Sequence, residues 1–143
     1  MKALIDTCVI VDVLQSREPF CEKAQALFLA AANNQFTGCM TAKSATDIYY
    51  LTHRYTHDSK ASKAVLNKLF TIFEVLDTAG MDCRHAIPSA ISDFEDAVMV
   101  ETAVRTEMDC IITRNIKDFT NSSIPVFTAE EFLDKLSASE ESE

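Results

Sequence analysis

Short apolar runs alternate with longer stretches of helical period along this chain, and that alternation constrains the fold more than any other feature of the sequence. It predicts a β-α-β-α organisation rather than an all-helical or all-strand domain. The predicted strands lie near residues 2–6, 36–40, 73–76, 109–113 and 124–127, and the predicted helices near residues 19–33, 41–55, 59–73 and 82–91. The expected fold is α/β, with three α/β/α layers around a central, mostly parallel sheet of about five strands.

Two capping boxes mark further helix starts. The segment Ser92-Asp93-Phe94-Glu95 predicts a helix that begins at Ser92 and carries Asp93 and Asp96 in its first turn. The segment Thr128-Ala129-Glu130-Glu131 predicts the start of the last helix, with no metal-site partners nearby. Acids in a first turn also meet the positive end of the helix dipole, so Asp93 and Asp96 have a purely structural interpretation beside any functional one.

The length of 143 residues suits one domain, and 48% hydrophobic with 24% charged residues is ordinary for a globular protein. We expect the domain to span residues 1–136. Residues 137–143 are small, polar and acidic, and are predicted to form a disordered tail.

No apolar stretch approaches the roughly 20 residues that span a bilayer, and the N-terminus lacks the pattern of a signal peptide. The sequence therefore predicts a soluble, cytoplasmic protein with no membrane partner. The five cysteines are odd in number, widely separated and without a Cys-x-x-Cys pair, which favours buried reduced thiols over a disulfide framework or a zinc site.

The net charge of −9 argues against a protein that holds nucleic acid by bulk electrostatic attraction. The balance reverses locally from Lys43 to Lys68, where five basic residues outnumber Asp47 and Asp58. This stretch predicts either a local basic surface or a solvated helix face of mixed charge, and the two alternatives stay open.

Acidic residues stand where predicted strands end or helices begin. Asp6 follows the first apolar run, at the edge of a parallel sheet where ligands bind, although it could instead cap the following helix. Asp47 lies in the helix after the second strand, and Asp118 follows the fourth. A set of carboxylates suits Mg²⁺ or Mn²⁺ rather than Zn²⁺, and a cation would relieve the repulsion among them.

The order of these features is more specific than any one residue. An acid after the first strand, an acid in the next long helix, acids opening a later helix and a Thr-Arg-Asn-x-x-Asp-Phe stretch at residues 113–119 together resemble the PIN-domain nucleases. Among these, the chain is most similar to the VapC-type toxin branch. The resemblance covers roughly residues 2–133 and implies a PIN-like fold.

Carried over residue by residue, the resemblance makes Asp6 the first metal ligand and Asp96 the third acid, with Asp93 close enough to share that role. Asp47 stands where many members have the longer Glu. Asn115 stands where many have Asp, and Asp118 is placed to supply the missing charge. The resemblance thus implies a catalytic set and a metal-ligand set that share three acids: Asp6, Asp47, Asp96 and Asp118 for catalysis, and Asp6, Asp93, Asp96 and Asp118 for the metal.

The implied activity is hydrolysis of an RNA phosphodiester by metal-activated water, with Mg²⁺ or Mn²⁺ as cofactor. The residues that would orient water or phosphate are Thr7, Thr113, Arg114, Asn115 and Lys117. The implied partners are an RNA substrate, an antitoxin protein that covers the acidic pocket, and a second copy of the chain in a homodimer. Cys8, in place of the more usual Asn or Ser, is interpreted as packing.

Three other interpretations were weighed. His53 and His57 have the spacing of zinc ligands, but Arg54 occupies the position of the required Glu and no third ligand is evident. A phosphoaspartate enzyme or receiver domain would need a second acid where Cys8 stands. A catalytically inactive PIN-like module that acts through a protein partner is the main alternative. Tyr49, Tyr50 and Tyr55 could stack on bases, but partial burial is the favoured prediction for each.

Overall fold

The computed structural model describes residues 1–141 of the chain. Its five strands are β1 (Lys2–Ile5), β2 (Thr37–Thr41), β3 (Glu74–Leu76), β4 (Cys110–Ile112) and β5 (Val126–Phe127). The α-helices of the described residues are α1 (Thr7–Leu14), α2 (Cys21–Ala32), α3 (Ala42–Thr56), α4 (Ser59–Ile72), α5 (Gly80–Ala86), α6 (Phe94–Arg105) and α7 (Ala129–Glu141). A short 3-10 helix covers Ile116–Phe119.

All five strands are parallel and lie in the order β3-β2-β1-β4-β5. The chain moves outward from β1 through β2 to β3, and then returns to the other side of β1 for β4 and β5. The order therefore reverses between β1 and β4. In open α/β sheets such a reversal opens a crevice at the carboxyl ends of the strands, where ligands bind.

Each face of the sheet is covered by helices, which confirms the predicted three-layer architecture. Ala3 and Ile5 of β1 pack into a core shared with α1, α2, α3, α4 and α7, whereas Leu4 packs into a second core shared with α5 and α6. Successive side chains of a strand point to opposite faces, so a strand buried on both faces must be apolar at every position. This is why Ala3–Ile5 of β1 and the whole of β4 read as continuous apolar runs.

Gly38 in β2 lets the strand pass close to an aromatic ring. A Cβ atom built there would lie 2.7 Å from Cδ1 of Phe73, which is itself buried and packed edge-on against Phe28. Gly80 at the start of α5 has open space around it instead. The fold therefore requires a residue without a side chain at position 38 but not at position 80.

The second predicted capping box is confirmed, and the first is wrong by one residue. Thr128 Oγ1 accepts from the Glu131 amide while Glu131 Oε1 accepts from the Thr128 amide. In α6, however, the cap is Asp93, whose Oδ1 accepts from the Asp96 amide at 3.0 Å, and Ser92 lies outside the helix. Asp93 displaces Ser92 because its carboxylate reaches the amide three residues on and also favours the positive helix end.

Residues 7–14 form α1, the helix that follows Asp6 and for which the sequence predicted no bounds. Two further predictions need correction. The helix predicted for residues 82–91 is α5, which ends at Ala86 before Pro88. Residues 137–141 of the predicted tail continue α7, since the sequence there contains neither Gly nor Pro to stop the helix. Ser142 and Glu143 lie outside the described residues.

All five cysteines are free, in agreement with the prediction of reduced thiols. Cys21, Cys39 and Cys110 are buried and Cys8 is partly buried, whereas Cys83 is exposed, contrary to the prediction of burial. Within residues 1–141, no helix has the length and apolar character needed to cross a membrane.

An ion pair between the buried Asp82 and the partly exposed Arg105 joins α5 to α6. Asp82 accepts from Nε of Arg105 at 2.8 Å, from Thr102 Oγ1 at 2.8 Å and from the Ala79 amide at 2.9 Å. Burial opposes the ionisation of Asp82, but these hydrogen bonds outweigh it and lower the pKa of the carboxyl. The pair fixes α5 against α6 on the side of the sheet that carries the second core.

Candidate functional site

Asp6 lies at the switch point of the sheet, where β1 ends and α1 begins. Its amide donates to the Ile112 carbonyl at 2.9 Å, so the residue continues the pairing of β1 with β4. Its side chain makes no capping hydrogen bond to α1. The carboxylate Oδ2 instead accepts from Thr113 Oγ1 at 2.8 Å and from Cys8 Sγ at 3.4 Å. The geometry therefore does not support the alternative in which Asp6 is only a helix cap.

The Asp6 carboxyl is largely buried, and burial raises its pKa despite the opposing hydrogen bonds from Thr113 and Cys8. Asn115 follows on the same loop, where its amide donates to Thr113 Oγ1 at 3.1 Å and its Nδ2 lies 3.9 Å from Cys8 Sγ. Cys8 is thus part of the polar surroundings of Asp6. Burial and the neighbouring Asp6 charge raise the pKa of the thiol to about 11, so it stays protonated.

A second group of carboxylates opens α6. Burial and, after it, the negative charges of Asp93, Asp6, Asp118 and Glu95 together raise the pKa of Asp96 to about 6. Acids from β1, from the start of α6 and from the 3-10 helix are therefore close enough to oppose one another's ionisation. A site that concentrates negative charge in this way is stabilised when a cation binds.

Asp47 and Glu95 are held by one lysine. Lys43 Nζ lies 2.6 Å from Asp47 Oδ2 and 3.1 Å from Glu95 Oε1, which links α3 to the first turn of α6. All three side chains are well exposed. Asp47 thus enters the site as an ion-paired group, with a positive charge already beside it.

These acids line one cleft of about 450 Å³ between α3 and α6. Its polar lining includes Asp6, Asp47, Glu95, Asp96, Lys43 and Arg54, and its apolar lining includes Leu51, Phe94, Val98 and Met99. The arrangement places an acidic floor beside an apolar wall. Asp93 and Asp118 affect the ionisation of Asp96 but are not among the residues that line the cleft.

A buried hydroxyl chain supports the β2 side of the site. Thr7 Oγ1 and Ser44 Oγ share a hydrogen bond of 2.7 Å, and Thr41 Oγ1 donates to Ser44 Oγ at 3.1 Å while capping α3. The start of α1 is thereby fixed to the start of α3. Ser44 was missed by the sequence analysis, because its partner Thr7 is 37 residues away and no local pattern marks the contact.

Arg114 lines a second cavity of about 430 Å³ rather than the acidic cleft. Its Nε lies 3.0 Å from Oδ2 of the buried Asp12, and its guanidinium carbon lies 4.6 Å above the centre of the Phe20 ring. Asp12 was not singled out from the sequence, since an acid in the middle of a short apolar helix carries no recognisable motif. Lys117 is exposed on the 3-10 helix.

The aromatic and histidine side chains of α3 differ from some expectations. Tyr50 and Tyr55 are 65% and 72% exposed, so the prediction that they would be partly buried is wrong, whereas Tyr49 is half-buried and stacks on His53. The His53 and His57 rings pack edge-on with centroids 6.4 Å apart. Arg54 lies at the cleft instead of completing a zinc-binding motif.

The donor set fits a hard divalent cation, but the donors are not gathered into a cage. Asp6, Asp93, Asp96 and Asp118 offer only oxygen ligands, which suit Mg²⁺ or Mn²⁺. In the part of the chain that the structure describes, no three His, Cys, Asp or Glu side chains stand in a group that could hold a metal ion. Binding would therefore require the carboxylates to draw inward, against their mutual repulsion.

The sequence and the fold were compared with known proteins. The sequence profile of a family described as PIN domain matches residues 2–117. No curated protein matches the chain. Among solved structures, VapBC-1 from nontypeable Haemophilus influenzae is similar with a TM-score of 0.67 and 14% identity, covering 91% of this chain and 99% of that one.

Two further solved structures share the fold. A toxin–antitoxin complex from Klebsiella pneumoniae gives a TM-score of 0.65 at 20% identity, covering 89% of this chain and 97% of that one. The Mycobacterium tuberculosis toxin VapC20, which is described as cleaving the sarcin-ricin loop, gives a TM-score of 0.57 at 14% identity over 76% of this chain and 86% of that one. At these identities the similarity establishes the fold alone.

Proposed function

This chain belongs to the PIN-domain family, and from that membership we propose that it is a metal-dependent endoribonuclease that hydrolyses RNA phosphodiester bonds. The observation that carries the proposal is the single cleft lined by Asp6, Asp47, Glu95 and Asp96, at the carboxyl ends of β1 and β2 and the start of α6. A cluster of like charges is unfavourable in a metal-free protein, so its presence at a sheet switch point favours a site for cations.

Asp6 and Asp96 are the central ligands of the proposal, Asp93 and Asp118 complete the metal shell, and Asp47 acts with them in catalysis. Bound Mg²⁺ or Mn²⁺ would lower the pKa of a water molecule and stabilise charge on the phosphoryl oxygens. The resemblance to the PIN-domain nucleases implies that the products would carry a 5′-phosphate and a 3′-hydroxyl.

The neighbouring polar residues have supporting roles. Thr113 orients the Asp6 carboxylate through its 2.8 Å hydrogen bond, and Thr7 and Asn115 are placed to orient water or a phosphate oxygen. Lys117 is exposed next to Asp118 and can contact the phosphate backbone without reading sequence. The direct phosphate contact that the resemblance implies for Arg114 has less support, because its guanidinium is already paired with Asp12.

We also propose that the protein acts in the cytoplasm as the toxin of a toxin–antitoxin pair. The similar fold of the Klebsiella pneumoniae toxin–antitoxin complex supports this role. An antitoxin that covers the acidic cleft would need a basic side chain to replace the cation and apolar side chains to cover Leu51, Val98 and Met99. A homodimer is part of the same proposal, and the molecular mass in solution tests it.

The second candidate is an inactive PIN-like module that works through a protein partner. The absence of a preformed three-ligand group among the described residues favours it, as do Asp47 in place of the longer Glu and the uncharged Asn115. Retention of Asp6, Asp93, Asp96 and Asp118 argues for the enzyme. Metal binding separates the two candidates.

The test is cleavage of a labelled transfer-RNA pool by the purified protein with Mg²⁺, Mn²⁺ or EDTA. Asp6→Asn and Asp96→Asn are compared with Asp134→Asn, a matched change on the exposed face of α7. Metal-dependent cutting that the first two substitutions abolish and the third preserves would support the nuclease. Absence of cutting, together with absence of Mn²⁺ binding in calorimetry, would favour the partner-binding module.

A further inference from the structure

We propose that Asp12 and Arg114 form a positioning pair, which anchors the loop Thr113–Asn115 to α1 and so keeps the Asp6 carboxylate oriented for metal binding. The inference rests on the proposed function and adds to it a role for two residues outside the acidic cleft. Neither side chain is a ligand. Both act through Thr113 and Asn115, which contact the surroundings of Asp6 directly.

The pair is built into the protein interior. The Asp12 side chain is 2% exposed and that of Arg114 is 30% exposed, with their charged atoms 3.0 Å apart. The guanidinium also lies over the Phe20 ring, so its plane is fixed on one side by an aromatic face. Arg17 approaches Asp12 less closely, at 3.9 Å. Arg114 is therefore the principal partner of the buried carboxylate.

A purely structural explanation for this pair is weak on energetic grounds. Removing two charges from water is costly, and a buried ion pair is on average no more stabilising than apolar side chains of similar volume. A buried ion pair has an advantage where it fixes the relative orientation of two segments that apolar packing alone would not fix. Here it joins the helix that begins at Asp6 to the loop that carries the hydrogen-bond donor of Asp6.

Hydrogen bonds and the ion pair connect α1, β4 and β5 around the point where the strand order of the sheet reverses. Asp6 and Asp12 lie at the cap and in the middle of α1, and Arg114 directly follows Thr113. Thr113 is tied to β5 through its amide and to Asp6 through its hydroxyl, and the Asn115 amide donates back to that hydroxyl. Without the ion pair, the side-chain anchor of these residues to α1 is reduced to the long contact of 3.9 Å between Asn115 Nδ2 and Cys8 Sγ.

The location of Arg114 separates this role from phosphate binding. Arg114 lines the second cavity together with Asp12 and Phe20, and none of these three lines the acidic cleft. A guanidinium that reached for substrate would leave Asp12 buried without its main counter-charge. The geometry therefore favours an arginine that stays paired throughout the reaction.

The experiment compares the wild-type protein with Asp12→Asn, Arg114→Gln and the double variant Asp12→Leu/Arg114→Met. The double variant removes both charges at similar volume, and it keeps the test valid if either single variant fails to fold. Arg17→Gln is the matched control, because it removes the weaker of the two arginine contacts. Three quantities are measured: Mn²⁺ affinity by calorimetry, amide hydrogen exchange of residues 113–118, and thermal unfolding.

We expect the double variant to unfold near the wild-type temperature and yet bind Mn²⁺ about 10-fold or more weakly, as is typical when a partner of a metal ligand is lost. The amides of Thr113 and Asn115 should exchange faster, while those of β1 and β2 stay unchanged. The single variants and the double variant should weaken Mn²⁺ binding by similar factors, since either change breaks the same pair. Arg17→Gln should bind Mn²⁺ as the wild type does.

Wild-type Mn²⁺ affinity and unchanged exchange of residues 113–118 in the double variant would overturn the inference. A wild-type protein that binds no Mn²⁺ would instead overturn the proposed function. In that case the exchange measurement decides the positioning role by itself, because it needs neither metal nor RNA.

Discussion

Thr113 Oγ1 donates to Asp6 Oδ2 at 2.8 Å, and this hydrogen bond joins the ends of β4 and β1 at the point where the strand order of the sheet reverses. Both residues are buried, and 107 residues of chain separate them. The contact therefore reports on the packing of the sheet as well as on the orientation of the carboxylate.

Thr113→Val keeps the shape of the side chain and removes the donor to Asp6. Loss of a hydrogen bond to a buried group should destabilise the protein by about 1–3 kcal/mol at neutral pH. The pKa of Asp6, which burial already raises, should rise further, and Mn²⁺ affinity should fall. Urea unfolding and calorimetry measure the two effects. Thr71→Val, which removes an exposed hydroxyl of α4, should change neither.

Asp96→Asn should stabilise the metal-free protein while it abolishes metal binding. The pKa of Asp96 is raised from 3.8 to about 6, so the folded state keeps a proton that the unfolded chain has released. The contribution of Asp96 to the free energy of unfolding therefore falls as the pH rises from 3.8 to about 6. Above pH 7 the variant should be more stable than the wild type by about 1–2 kcal/mol, after allowance for solvent screening.

Thermal unfolding at pH 4 and pH 8, with and without Mn²⁺, tests that prediction. The gain from Asp96→Asn should be present at pH 8 and absent at pH 4, and added Mn²⁺ should stabilise only the wild type. An equal gain at both pH values would show that charge repulsion at Asp96 is not its cause.

Asp47 and Lys43 can be separated by their effects on catalysis and on stability. Their ion pair is well exposed, so Asp47→Ala and Lys43→Gln should each change stability by less than about 1 kcal/mol. If Asp47 acts in catalysis, Asp47→Ala should lower the cleavage rate by about 10-fold or more, and Asp47→Glu should restore it. Cleavage rates measured at saturating Mg²⁺ test this prediction. Wild-type rates for Asp47→Ala, Asp47→Glu and Lys43→Gln would remove Asp47 from the catalytic set.

Gly38→Ala and Gly80→Ala test whether the fold needs each glycine. At Gly38 the new methyl group would lie 2.7 Å from the Phe73 ring, and the overpacking should cost about 1–3 kcal/mol. At Gly80 nothing lies within 4 Å, so the same change should stabilise the protein by about 0.4–1 kcal/mol through helix propensity and chain entropy. Chemical denaturation of the two variants should give shifts of opposite sign.

Asp82→Asn should destabilise the protein by about 1.5–3 kcal/mol, because the buried carboxylate loses its charge-assisted hydrogen bonds to the partly exposed Arg105. The pKa of Asp82 is lowered in the folded protein, so the stability it contributes is present above about pH 4 and is lost as pH falls through the folded-state value. The destabilisation should accordingly shrink in acid unfolding experiments. Mn²⁺ affinity, measured on the folded fraction, should be unaffected.

The central strands β1 and β4 could be predicted because they are buried on both faces. Runs such as Ala3-Leu4-Ile5 and Cys110-Ile111-Ile112 are apolar at every position, as expected in a covered parallel sheet. Helix α1 was less predictable. Its Val9-Ile10-Val11 run has low helix propensity, and the helix is stabilised instead by tertiary packing against the core.

The acids that line the candidate cleft and the neighbouring Thr113 were predicted from the sequence, whereas Asp12 and Ser44 were not. Asp6 and Asp96 stand at the ends of recognisable elements, so local patterns place them at one edge of the sheet. Asp12 and Ser44 have meaning only through contacts with Arg114 and Thr7, which lie far away in the chain. Three-dimensional structure is needed wherever a residue acts through a distant partner.

The reversed strand order also governs when the site can exist during protein synthesis. Asp6 and β1 leave the ribosome first, but Thr113 and β4 pair with them only after more than a hundred further residues have been translated. A chain that stops before residue 113 contains Asp6, Asp47 and Asp96 yet lacks the strand that orients Asp6. Prematurely terminated products would therefore carry the acids without the hydrogen bond that orients Asp6, and the candidate site is assembled only in chains translated beyond β4.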